Sequence, residues 1–114
     1  MAKAKIPGPI ERRHLVEKTL PPEQARAIAD AYLGEDRCLE AIDFLALAGA
    51  GDQLAALRQR ALADGDAFLL RAVAAAEERT PTRDDWQQVE AAAAASGRDR
   101  YAVAARRQLE RGDD

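Results

Sequence analysis

Apolar and polar positions along this chain repeat with a helical rhythm. Between Pro22 and Gly34, residues Ala25, Ile28, Ala29 and Tyr32 fall at i, i+3, i+4 and i+7, which gathers them on one face of a helix. After a short polar break the spacing returns in Cys38, Ala41, Ile42, Leu45 and Ala48. Pro22 and Glu23 suit a first helical turn, and Gly34 suits its end. Asp36 reads as the N-cap of the second helix and Gly49 as its C-terminal stop. The stretch 22–49 is therefore predicted to be two antiparallel helices joined by a tight turn.

Two further pairs follow. Asp52 is placed to cap a helix bearing Leu54, Leu57 and Ala61. Asp64-Gly65-Asp66 makes a turn, and Asp66 caps a helix bearing Leu69, Ala72, Val73 and Ala76, with Phe68 and Leu70 widening its apolar face. In the third pair Thr82 and Asp85 have the spacing of a capping box, Trp86, Val89 and Ala93 give the inner stripe, and Ser96-Gly97 turns the chain. Tyr101, Ala105 and Leu109 carry the stripe onward. Ahead of these pairs, MAKAKIPGP is predicted to be an extended arm, because proline removes a donor and disfavours helix in the residue before it. A short helix is expected from Pro9, docked by Ile10, Leu15 and Val16, before Leu20-Pro21-Pro22 breaks the chain. The expected division is thus a basic arm and short helix over 1–20, a helical-hairpin domain over 22–110 and a fraying tail over 111–114.

Composition agrees with helix packed on helix. Of 114 residues 47% are hydrophobic but only 4% aromatic, and 27 are alanine, so many apolar positions are small enough for backbones to approach closely. Strand-forming residues are sparse and nowhere alternate with polar ones. The net charge of −3 disfavours nucleic acid as a partner of the whole chain, although residues 1–20 are locally basic through Lys3, Lys5, Arg12, Arg13 and Lys18. One cysteine, Cys38, forms no internal disulfide, and there is neither a membrane-length apolar run nor the apolar core of a secretory signal. A cytoplasmic location is expected. Fourteen arginines against three lysines, with no asparagine, point to a GC-rich bacterial genome.

Candidate chemistry thins out on inspection. The single histidine, His14, has only Glu11 and Glu17 at three residues' distance, a spacing for surface ion pairing. Cys38 lies on an apolar stripe, far in sequence from any base, and reads as packing. Gly49-Ala50-Gly51-Asp52 precedes a helix but follows no strand, and Asp52 sets a negative charge where a phosphate would sit. Asp64-Gly65-Asp66 lacks the alternating ligands and closing glutamate of a calcium loop. The adjacent carboxylates Glu35-Asp36, Glu77-Glu78 and Asp84-Asp85 point about 100° apart on a helix and do not converge. Trp86 and Tyr101, at helical spacing beside the run Ala91 to Ala95, read as core. No catalytic constellation, metal site or cofactor is expected.

Three hairpins of about 30 residues are a repeat at the period of helical solenoids. Ile28, Ala29, Tyr32, Ala41, Leu45 and Ala48 follow the order of large, small and aromatic positions by which the chain resembles the tetratricopeptide repeat (TPR) family. Trp86, Val89, Gly97 and Ala102 match in the third pair, while the second matches only through Leu57, Gly65 and the apolar rhythm. The turns at Asp36 and Gly65 are 29 residues apart where the family has 34, and its proline after the second helix is missing after Gly49. A HEAT-like stack or an irregular bundle meets the same apolar spacing. The resemblance implies an all-α fold of three antiparallel hairpins stacked as a short TPR-like solenoid. It also implies a non-catalytic adaptor whose first helices line a concave groove for a partner's peptide or helix. Glu23, Arg26, Asp30, Gln59, Asp84, Gln87 and Gln88 would then face that groove, a set suited to a basic or neutral segment. The arm, through Lys3, Lys5, Ile6, Arg12 and Arg13, is a second candidate surface. It is expected to cover the end of its own domain, and the alternative function is a structural subunit that self-associates through the arm or an open repeat face.

Overall fold

Helices form where the apolar rhythm places them. The computed structural model describes residues 6–17 and 20–111, and among these the chain has seven helices and no strand. It divides between Leu54 and Ala55 into two compact units.

The first unit holds α1 (Pro9–Glu17), α2 (Pro22–Gly34), α3 (Cys38–Leu47) and the opening turn of α4 (Gly51–Asp64). α2 packs along α3, and α1 lies against α3. Ala25, Ile28, Ala29 and Tyr32 are buried, as expected. On α3 the buried set is Ala41, Ile42, Phe44 and Leu45, which adds Phe44 to the expected stripe and leaves its two ends, Cys38 and Ala48, half-buried. Phe44 is the addition, and its ring stacks on that of Tyr32 with centroids 5.8 Å apart. Cys38 is half-buried at the start of α3, with its Sγ 3.9 Å from Asp36 Oδ1, so it sits at the margin of the core.

The second unit holds the remainder of α4 with α5 (Ala67–Ala76), α6 (Arg83–Ala95) and α7 (Asp99–Glu110). α6 packs along α7, and α5 touches both. Leu57, Ala61 and Leu62 of α4 are buried, as are Leu69, Leu70 and Val73 of α5. Trp86, Val89 and Ala93 of α6 join Ala102 and Ala105 of α7 in the same core. The buried side chains among the described residues are hydrophobic ones, with the Tyr32 hydroxyl a polar atom enclosed among them.

Every turn from α2 onward is closed in the same way. One residue takes a left-handed backbone: Asp36 (φ 59°), Gly49 (65°), Gly65 (71°), Glu78 (57°) and Gly97 (75°). The next residue then donates its amide to the carbonyl five residues earlier. These bonds run from Arg37 to Tyr32, Ala50 to Leu45, Asp66 to Ala61, Arg79 to Ala74 and Arg98 to Ala93, at 2.8–3.0 Å. This is the Schellman closure, which satisfies carbonyls that a helix end leaves open.

The shared closure corrects two expected caps. Asp36 does not cap α3; it is the left-handed residue after α2, and the N-cap of α3 is Arg37, with no side-chain cap bond. Asp52 lies inside the first turn of α4, because Ala50 completes the preceding closure and the helix begins at Gly51. Two other expectations hold. Asp66 accepts from the Leu69 amide at 3.0 Å, and Thr82 with Asp85 forms both bonds of a capping box.

Gly65 does more than turn the chain. A β-carbon at this position would lie 2.8 Å from Ala93 Cα and closer still to Ala93 N, so the α4–α5 turn presses directly on the α6 backbone. The alanine run in α6 is what admits that approach.

Ile6-Pro7-Gly8 carries no regular structure, and Pro7 is buried. Ile10, expected to dock α1, is 75% exposed, whereas Leu15 and Val16 are half-buried. The arm residues Lys3 and Lys5, and tail residues 112–114, lie outside the described residues.

Candidate functional site

The residues expected to face a groove lie on the open sides of their helices. In the first unit Glu23, Arg26 and Asp30 are exposed on α2, and two of them are engaged within the chain. Arg26 meets Asp52 at 3.4 Å, and Asp30 accepts a hydrogen bond from Gln53 Nε2 at 2.9 Å, both partners belonging to the opening turn of α4. In the second unit Gln59 on α4 and Asp84, Gln87 and Gln88 on α6 are exposed.

Of the basic residues near the N-terminus, Arg12 is turned inward. Its guanidinium lies 5.8 Å from the centre of the Tyr32 ring and 5.5 Å from that of Phe44, and it donates to the Glu40 carbonyl at 2.9 Å and to Asp43 Oδ2 at 3.1 Å. Cation–π attraction and two charge-assisted bonds thus fasten α1 to the α2/α3 pair. Arg12 Nε and the Tyr32 hydroxyl have no hydrogen-bond partner among the described residues. Arg37 lies over Tyr32 at 5.0 Å and donates from Nε to Glu40 Oε1 at 2.8 Å. That hydrogen bond, followed by the Arg37 and Arg12 charges, holds the Glu40 carboxyl below its ordinary value, while the same bond raises Arg37. Arg12 is therefore a structural clamp here. Arg13 and His14 lie on the exposed side of α1, and Ile6 is half-buried.

An open cleft in the second unit has a different character. It encloses about 490 Å³ between α5 and α7. Its apolar centre is Phe68 of α5 and Val103 of α7, exposed by 40% and 43%. Around them stand Arg71 on α5 and Arg100, Arg107 and Arg111 on and after α7, with Asp99 the one acidic residue in the lining. The ring of Phe68 meets Tyr101 edge-on at 5.3 Å, and the Arg98 guanidinium lies over Tyr101 at 5.7 Å. A shallower hollow of about 510 Å³ over Gly97 to Tyr101 shares Asp99 and Arg100 with the cleft.

The helical register explains this arrangement. Arg100, Val103, Arg107 and Arg111 are spaced i, i+3, i+7 and i+11, one continuous stripe along α7, and Phe68 and Arg71 are one turn apart on α5. Arg106, one position off the stripe, reaches Glu90 of α6 at 2.8 Å. Arg58 of α4 reaches Glu77 at 3.1 Å. No ion pair joins Arg71, Arg100, Arg107 or Arg111 to another described residue.

Sequence reasoning overlooked this surface, because it followed the buried stripe of α7 and took Phe68 as a broadening of the core. The signal was present in the arginine and valine spacing opposite Ala105. Comparison with family models, with curated proteins and with solved structures brings no match.

Proposed function

We propose that this chain is a non-catalytic protein-interaction module whose helical pairs stack as a short TPR-like solenoid and which holds a helix or extended segment of a partner. The observation that carries the reading is the α5/α7 cleft. There two large apolar side chains stay exposed on helices that each bury a separate face in the core. Docking sites share this arrangement of exposed apolar side chains in a cleft with a polar rim. The exposed side of α2 is the weaker candidate for a basic or neutral segment, since Arg26 and Asp30 already engage Asp52 and Gln53. A cytoplasmic setting is proposed on the ground that one cysteine permits no internal disulfide. Among the described residues no helix is long and apolar enough to cross a membrane.

A second reading, a structural subunit that self-associates, is favoured by Ile10 of α1 and Leu39 of α3, exposed by 75% and 55% in the first unit. Selection of peptides from a displayed random library on the purified protein tests the first reading. Enrichment of sequences with spaced apolar residues, lost in a Phe68→Ser/Val103→Ser variant that keeps its helical circular dichroism, supports it. No enrichment, or enrichment indifferent to both substitutions, counts against it.

A further inference from the structure

We infer that the occupant of the α5/α7 cleft is the acidic, amphipathic helix of a partner protein. The inference rests on the interaction-module reading and adds the chemistry of the ligand. Four arginines and a single aspartate line this cleft in a chain whose net charge is −3, so its local sign opposes that of the whole molecule.

Those arginines are available. Elsewhere in the same unit Arg58 and Arg106 are drawn to Glu77 and Glu90, while the cleft arginines have no such pairing among the described residues. An unpaired guanidinium presents a fork of donors that matches a carboxylate, and four at the rim of one apolar centre define an anionic counterpart.

Shape narrows the choice further. The arginine stripe runs from Arg100 on α7 to Arg111 just after it, eleven steps that at 1.5 Å per residue make roughly 16 Å, or about three helical turns. A groove between two helices, with an apolar centre at Phe68 and Val103 and a cationic stripe along one wall, suits an amphipathic ligand helix that lays its apolar face into the groove. Such a ligand would set aliphatic side chains on Phe68 and Val103 and glutamates or aspartates toward the arginines on either side. A nucleic-acid backbone would satisfy the arginines but set phosphate and sugar against Phe68 and Val103, with no apolar surface to cover them.

The test uses the full chain and a fluorescently labelled helical peptide of about four turns, with leucine on one face and glutamate flanking it. Counterparts have every glutamate changed to glutamine or to lysine. The glutamate peptide is expected to bind about 10-fold or more tightly than the glutamine peptide and to weaken steeply as salt is raised, with no measurable binding of the lysine peptide. Arg71→Glu/Arg107→Glu should invert the order of the glutamate and lysine peptides, and Phe68→Ser should weaken both the glutamate and glutamine peptides. Equal binding of all three peptides overturns the acidic preference and leaves the interaction module standing. Binding of none overturns the cleft as a docking site. Tighter binding of a single-stranded oligonucleotide, or self-association at micromolar concentration that Arg107→Glu abolishes, assigns the cleft to a different occupant and overturns the inference.

Discussion

At the scale of single residues, backbone conformation and close approach decide more than side-chain chemistry. Gly65 combines a left-handed φ of 71° with a backbone neighbour, Ala93, where a β-carbon would stand. Gly65→Ala should therefore lower stability by roughly 2 to 4 kcal/mol, from left-handed strain plus overpacking, and depress the thermal midpoint by roughly ten degrees or more. Gly49 and Gly97 share the left-handed backbone but have open space around them, so alanine there should cost only the strain component, about 1 to 2 kcal/mol. Asp36 and Glu78 adopt the same conformation without glycine's freedom. Aspartate tolerates it through its short polar side chain, whereas glutamate does not. Glu78→Gly should accordingly stabilise the chain by about 0.5 to 1 kcal/mol, and Asp36→Gly should leave it nearly unchanged, as denaturant midpoints will show. Glu78 could not be recognised as a turn residue from sequence, because its conformation is imposed by the closure from Arg79 to Ala74 and by no propensity of its own.

At the scale of the helices, the ends are what the structure redefines. Thr82 and Asp66 make their cap bonds, so Thr82→Ala and Asp66→Ala should each cost about 1 kcal/mol. Asp52 stands inside its helix and should cost less when changed to alanine, losing only a favourable charge near the helix start and the exposed pair with Arg26. Urea unfolding of the three variants separates the two roles. On α3, Glu40 has its carboxyl lowered from an ordinary 4.5 by Arg37 and Arg12. A lowered carboxyl contributes stability that is present above its unfolded value and lost as pH falls through the folded one. Thermal stability should thus decline below about pH 4.5 more steeply in the natural protein than in Glu40→Gln. Helix number, helix order and most buried faces were legible from apolar spacing, since Ala25, Ile28, Trp86 and Val89 have no other use. The ends were less so, because an aspartate near a helix start can be a cap, a first-turn charge or a left-handed turn residue. Asp66, Asp52 and Asp36 illustrate each in turn.

For the whole molecule, what could be read depended on whether a residue's role is local. Arg12 reads from sequence as part of a candidate binding surface, yet it clamps α1 through Tyr32, Phe44, Glu40 and Asp43, partners 20 to 32 residues away, and no local pattern announces that. The cleft was missed for the same reason, since Phe68 and Val103 belong to different helices and become a surface only when α5 lies against α7. Helical periodicity predicts which face of each helix is buried. It does not predict which exposed faces meet. The most direct measurement is amide chemical-shift mapping of the isotopically labelled chain during titration with the glutamate-flanked helical peptide. Saturable shifts confined to α5 and α7 are expected, strongest around Phe68, Arg71, Val103 and Arg107. Shifts centred instead on Arg26, Asp30, Gln87 and Gln88, or no saturable shift at all, would contradict it.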